Sequence, residues 1–258
     1  MVVLLLVTAA ARVLAAEDAP PKPLPPETQP EKTAGEQATP SAEASIEAAA
    51  ALAVEGEAAT PEAFASDPLT VWRFYAWRRE QAAAASPNAA HRAIAAFLAA
   101  RPDATLATQN VDGLHERAGS RRVVRLHGSL WRLRCTRDGE ETEDERADLG
   151  PLPPRCACGA LLRPGVVWFG EPLPEDALAE ATSAARAARV VVVAGTSSLV
   201  YPAAALPGIA GDAGAFVVEV NPDPTPLSGI ADERIAGPAG VVLPRLAEAA
   251  GIPLGGPA

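Results

Sequence analysis

The apolar positions of this chain fall into two kinds of run. Residues 189–194 (RVVVVA) and 215–220 (AFVVEV) are β-branched with no polar alternation, which predicts strands covered on both faces, as in a parallel sheet. Residues 104–108 and 123–126 predict two shorter strands. Helices are predicted over 68–83 and 88–100, separated by Ser86-Pro87-Asn88, and over 177–188. Thr60-Pro61-Glu62 reads as a helix start with proline in the first turn. Residues 241–250 close the chain as a short strand or turn and a helix. Strands alternating with helices predict an α/β fold with a parallel sheet. The apolar run at residues 2–7, followed by small residues near Ala15-Ala16, has the look of a secretory signal without a basic start; we read it instead as a buried first strand.

Two stretches break the pattern. Residues 19–59 are rich in Pro, Glu, Ala and Thr and read as a solvated, low-complexity insert, with a short alanine-rich helix over 45–54. Residues 131–163 have few apolar side chains and much charge, which fits a small module held by something other than a core. The organisation is therefore a front segment (1–18), the insert (19–59) and a main domain (60–250) that carries the module.

Composition changes this picture in three places. A hydrophobic content of 48% over 258 residues supports a large core, and no apolar run is long enough to span a bilayer. The net charge of −10 argues against a nucleic-acid binder, and its distribution is uneven: residues 1–66 hold ten acids and three bases, leaving the main domain near neutral. The cysteines are only three, Cys135, Cys156 and Cys158. An odd, clustered set suits a metal knuckle in a reducing compartment better than a disulfide framework, so the expected location is intracellular. Zinc ribbons use two C-x₂-C pairs. Here Cys156 and Cys158 are one residue apart, and Asp138 stands three after Cys135. Three thiolates with Asp138 as a weaker fourth ligand is one reading; a knuckle that has lost its zinc is the other.

Polar residues crowd the ends of the predicted strands, where open α/β sheets bind ligands. Gln109, Asn110 and Asp112 follow the first, as ligand-binding groups or as an Asx-rich turn. His127 follows the second and is the natural general base, or a satisfied structural histidine; His91 and His115 read as structural. Gly195-Thr196-Ser197 follow RVVVVA and offer backbone N–H groups to a phosphate. Asn221 follows AFVVEV, where a ribose could be held. VVWFGE, residues 166–171, is either a buried strand or an exposed edge that captures an extended peptide.

Taken in order, TQNVDGLH, LHG, the cysteine module, LLRPGVVWFGE, AGTSS, VVEVNPD and AGPAGVVLPRL resemble the sirtuin family of NAD-dependent protein-lysine deacylases over residues 60–250. The resemblance implies a Rossmann-like large domain with a small zinc-binding module held by Cys135, Cys156 and Cys158. In the family the acyl oxygen attacks C1′ of the nicotinamide ribose, nicotinamide leaves, and a histidine, here His127, acts as the base. Gln109, Asn110, Asp112, Gly195, Thr196, Ser197, Asn221 and Ala239 match NAD contacts. Val167, Trp168 and Phe169 match the segment that pairs with an acyl-lysine peptide. Tyr75 and Arg78 match the Tyr-x-x-Arg pair of the class III sirtuins, the class of human sirtuin-5 and bacterial CobB, which implies succinyl-, malonyl- or glutaryl-lysine as substrate. Nucleic acid and membrane are not expected partners.

The family's Gly-Ala-Gly turn, with the Gly-Ile-Pro-x-Phe-Arg that follows it, is missing. Its counterpart at residues 8–21 has alanines where the glycines should be, whose Cβ atoms obstruct close approach to a pyrophosphate. A catalytically weak or inactive acyl-lysine-binding protein is therefore the alternative to an active deacylase. NAD-dependent ADP-ribosyl transfer is a lesser one.

Overall fold

The structure, a computed structural model, describes Val3–Val7 as a backbone strand and residues 58–254. The helix expected at 45–54 and the worn glycine turn at 8–21 lie outside the described residues.

β1 (Val3–Val7) is followed, after the undescribed stretch, by three helices. α1 (Pro61–Ser66) starts where the Thr60-Pro61 signal predicts, with the Thr60 hydroxyl accepting from the Ala63 amide. α2 (Pro68–Ala84) is capped by Asp67, and α3 (Ala89–Ala100) by Asn88 in a reciprocal pair with His91. Next come β2 (Thr105–Thr108), the short α4 (Leu114–Arg117), β3 (Val123–Arg125), and three strands of a second sheet: β4 (Gly128–Cys135), β5 (Glu141–Glu143) and β6 (Leu162–Val166). The chain then alternates: α5 (Glu175–Ala187), β7 (Val190–Ala194), α6 (Leu206–Asp212), β8 (Phe216–Asn221), β9 (Glu233–Ala236) and α7 (Ala239–Ala249).

The main sheet has six strands in the order β3-β2-β1-β7-β8-β9. Val191 and Val193 of β7 face a core built with α5 and α6, whereas Ala194 and Val218 face a core built with α3 and α7. Burial on both faces explains the unbroken apolar runs. Alanines such as Ala90, Ala93, Ala181 and Ala185, each at most 2% exposed, line those helix surfaces.

The sheet departs from expectation in one strand. β2 pairs parallel with β3, and β7, β8 and β9 are mutually parallel, but β1 runs antiparallel to both its neighbours. Val3 sits opposite Thr108 and Ala194, at the carboxyl ends of β2 and β7, while Val7 sits opposite Val190, where β7 begins. An unbroken apolar run such as VLLLV reads the same in either direction, so the sequence does not set the strand's polarity.

The segment expected as a coreless module contains the second sheet, ordered β5-β4-β6. Its inner face does have a core, borrowed from α1 and α2: Leu130, Leu133, Val166 and Trp168 pack with Phe64, Val71, Trp72 and Tyr75. Arg79 is only 1% exposed and donates to the carbonyls of Leu130, Asp144 and Arg146 and to the Asp144 carboxylate, which joins α2 to the module. VVWFGE is not one strand. β6 ends at Val166, Val167 and Trp168 continue outside any strand, and Phe169-Gly170 turn, with Gly170 at φ +85°.

Candidate active site

The strand registers bring the sequence motifs to one edge. Thr108 pairs with Arg125, Ala194 with Val220, and Asn221 with Ala236. The residues that follow, Gln109 to Gly113, His127, Gly195 to Ser198 and Asn221, therefore gather at the carboxyl ends of the parallel strands, with Ala239 at the start of α7. Strand order reverses direction there, which is where such sheets hold ligands.

The Gln109–Gly113 loop is shaped from within. The Thr108 hydroxyl accepts from the Asn110 amide at 3.1 Å, and Asp112 Oδ1 accepts from the Leu114 amide at 2.9 Å. Trp131 Nε1 donates to the Asp112 carbonyl at 2.7 Å. Gly113 has φ +75°, and a Cβ there would lie 2.7 Å from Trp131 Nε1, so only glycine fits. The Asx turn is thus real, and it fixes the loop that presents Gln109 and Asn110. His115 and His91 lie behind it as a buried, tilted ring pair, 4.8 Å between centroids. Burial pushes His115 down to about 4, so it is neutral at physiological pH. Both histidines sit where the sequence reading put them, in structural positions.

His127 is half-buried, and its Nδ1 is 3.3 Å from the Gln109 carbonyl. A carbonyl only accepts, so Nδ1 carries the proton and Nε2 keeps its lone pair. Burial holds the ring's pKa below its ordinary value, partly offset by the Gln109 hydrogen bond. The result is a neutral base of fixed tautomer. The His127 carbonyl accepts from the Val167 amide at 3.0 Å, which ties the histidine to the expected peptide segment. Gly128 has φ +74°, and a Cβ would come 2.2 Å from the Gly165 carbonyl oxygen. This close crossing of β4 and β6 needs a glycine immediately after the histidine.

On the other side of the edge, the Asn221 amide donates to the Thr196 carbonyl at 2.7 Å, and the Ser198 amide donates to Thr196 Oγ1 at 3.0 Å. Thr196 is buried and Ser197 exposed. Ser198, not singled out from the sequence, has φ +55° and a buried hydroxyl with no partner among the described residues. A non-glycine residue held in the left-handed region beside an orphaned hydroxyl is the kind of backbone outlier that clusters at ligand-binding loops. No residue type announces that conformation, so the sequence carried no signal for it. Leu199, Val200 and Tyr201 follow it, exposed by 65%, 44% and 75%.

Tyr75 and Arg78 lie together on α2. The Arg78 guanidinium carbon is 5.9 Å from the Tyr75 ring centroid, and the Tyr75 hydroxyl accepts from Trp168 Nε1 at 2.9 Å. Burial raises the phenol's pKa, so it stays protonated. Arg78 has no ion pair among the described residues, in contrast to its fully engaged neighbour Arg79. Trp168 is buried and Phe169 is 67% exposed.

The Sγ atoms of Cys135, Cys156 and Cys158 lie within 4.8 Å of one another, and Cys135 and Cys158 are 3.6 Å apart. This donor set suits a thiophilic ion such as zinc. Asp138 is not part of the group. Its Oδ1 accepts from the Glu140 amide at 3.0 Å, and its carboxylate hydrogen-bonds Cys135 at the edge of the group.

Comparison with known proteins agrees with this geometry. Residues 51–202 match the model of the Sir2 family. A relative from Pyrobaculum aerophilum, named NAD-dependent protein deacylase 2, is 53% identical over 193 residues, covering 74% of this chain and 77% of its own. A Sir2 homolog–NAD complex superposes with a TM-score of 0.72 at 50% identity, over 76% of this chain and 77% of that one. Sir2Tm bound to a propionylated peptide gives a TM-score of 0.66 at 33% identity, over 77% and 86%. The chain belongs to the Sir2 family.

Proposed function

We propose that this chain is an NAD-dependent protein-lysine deacylase that prefers acidic acyl groups, succinyl, malonyl or glutaryl. The observation that carries the preference is the Tyr75–Arg78 pair set against Trp168. The Tyr75 oxygen accepts from Trp168 Nε1, which leaves its own proton to donate. Arg78 beside it offers a planar guanidinium free of ion pairs among the described residues. A phenol donor and an unpaired guanidinium are a fitting site for a terminal carboxylate.

The carboxyl edge suits NAD on chemical grounds. It offers the amide side chains of Gln109 and Asn110, the Gly195–Ser198 loop with its orphaned Ser198 hydroxyl, and Asn221 beside that loop. Bound there, NAD supplies an electrophilic ribose carbon and nicotinamide as leaving group. The protein's own residues do the rest. His127 Nε2 is placed to take a proton, its tautomer set by Gln109. The amides of Val167 and Phe169 are taken by the carbonyls of His127 and Ala59, and the Trp168 amide by Glu171. The carbonyls of Val167, Phe169 and Gly170, without donors among the described residues, remain for a substrate backbone or acyl-lysine amide. This arrangement reads main chain and so gives affinity with little sequence preference.

A weakly active or inactive acyl-lysine binder is favoured by one observation. Because β1 is antiparallel, Val7 lies opposite Val190, at the sheet edge away from the candidate site, unlike the carboxyl ends of β2, β7 and β8. The discriminating experiment is a turnover assay on the purified chain with NAD and a succinyl-lysine peptide. We expect nicotinamide and free lysine in equal amounts, and slower reaction with the acetyl peptide. Peptide binding without nicotinamide release would favour the binder.

A further inference from the structure

Arg163, in β6, stands in the LLRPGVVWFGE motif, but no role was read for it from the sequence. It makes three kinds of contact at once. Its Nη1 and Nη2 form two hydrogen bonds with the Glu171 carboxylate, at 2.6 and 2.8 Å. Nη2 also donates to the Val166 carbonyl at 3.1 Å. Its guanidinium carbon lies over the Trp168 ring, 3.5 Å from the centroid. Glu171 in turn accepts from the Trp168 amide at 2.8 Å, and its own amide donates to the Trp168 carbonyl at 3.1 Å. The guanidinium holds the Glu171 carboxyl below its ordinary range despite burial.

These contacts close a ring around the segment that the proposed function assigns to substrate. Phe169 and Gly170 are exposed, and Gly170 is at φ +85°. Left alone, such a turn would sample many conformations and would have to be ordered by each arriving peptide. Arg163 fixes it from both ends: the carboxylate of Glu171 on one side of the turn and the indole of Trp168 on the other. The same indole donates to Tyr75, so its plane also sets where the phenol oxygen stands.

We propose that Arg163 is a positioning residue for the acyl-lysine substrate, pre-forming both the carbonyl edge of Val167–Gly170 and the Trp168 wall of the acyl pocket. This rests on the deacylase reading for its substrate. The planar fork is essential, because an ammonium cannot engage both carboxylate oxygens in the same bidentate way.

The test uses Arg163→Met, which keeps an apolar stem against Trp168, and Arg163→Lys, which keeps the charge. We expect KM for a succinyl-lysine peptide to rise roughly tenfold or more in both variants, the size of a lost pre-ordering of about two residues. We expect kcat and the KM for NAD to change by less than about threefold, since the Gln109 carbonyl and the Gly195–Ser198 loop do not touch Arg163. A merely structural role would lower the active fraction, and with it kcat, without moving KM. Unchanged peptide KM in the folded Arg163→Met variant, or full rescue by lysine, overturns the proposal. Direct binding of a fluorescently labelled succinyl-lysine peptide separates the two claims. Peptide binding weakened by Arg163→Met in a chain without turnover would sink the deacylase reading and keep the positioning role. Turnover with undiminished peptide binding in Arg163→Met would do the reverse. A wild-type chain that neither binds nor turns over the peptide overturns both.

Discussion

Replacing His127 with alanine lowers kcat for NAD-dependent deacylation by about 10²- to 10⁴-fold, the usual contribution of a placed general base. The geometry makes this the largest expected effect of a single change. The Gln109 carbonyl fixes Nδ1 as the protonated nitrogen, so no other tautomer competes for Nε2. Burial favours the neutral ring, the form that could accept a proton at Nε2. The sign follows: charging the ring removes the base, so kcat/KM falls as pH drops, with the acid limb below the ordinary histidine value of about 6.5. The fold should survive, because the contact of His127 with Val167 runs through its carbonyl and Gly128 supplies the backbone crossing. Nicotinamide release followed by steady-state kinetics, beside a thermal melt, checks both halves. Turnover equal to wild type in a folded His127→Ala protein would remove the histidine from the mechanism.

Arg78→Met gives the second-largest effect, and a selective one. Loss of charge-assisted hydrogen bonds to a carboxylate costs about 1.5–3 kcal/mol, roughly 10- to 100-fold in kcat/KM for a succinyl peptide. An acetyl peptide has no carboxylate to lose, so its kcat/KM should shift by less than about threefold. The contrast with Arg79 matters for interpretation. Arg79 spends its guanidinium on carbonyls of the small module, so its removal would damage folding whatever the acyl group. Equal losses on the two peptides in Arg78→Met would assign Arg78 a structural role as well and would leave the acidic-acyl preference without its anchor.

How much of this was legible beforehand depends on how local each signal is. Thr60-Pro61 announced a helix start because capping is decided within four residues, and Ser86-Pro87-Asn88 marked the break between two helices, where Asn88 proves to be the cap of the second. RVVVVA announced a strand covered on both sides. The motifs after β2, β3, β7 and β8 were readable as one edge, because parallel strands necessarily bring their carboxyl ends together. Non-local pairings were not readable. Arg79 looks like one more charge on a basic helix until the carbonyls of Leu130 and Arg146 are seen around it. VVWFGE reads as one strand until Glu171 turns back to take the Trp168 amide. β5 is three exposed residues, Glu141 to Glu143, with no apolar signal at all; its pairing with β4 brings Glu143 within 3.0 Å of Arg132. The direction of β1 is the most consequential of these, because the apolar pattern is the same read either way.

That strand also decides where the account is most exposed. The central claim is that this carboxyl edge binds NAD and works with an acyl-lysine peptide, even though β1 runs antiparallel to β2 and β7. Calorimetric titration of NAD into the purified chain, with and without succinyl-lysine peptide, tests it most directly. The account predicts saturable binding in the micromolar-to-millimolar range common for enzyme substrates, with a heat that changes when the peptide is present. Peptide binding with no detectable NAD binding would contradict it and leave an acyl-lysine recognition module on a Sir2 scaffold.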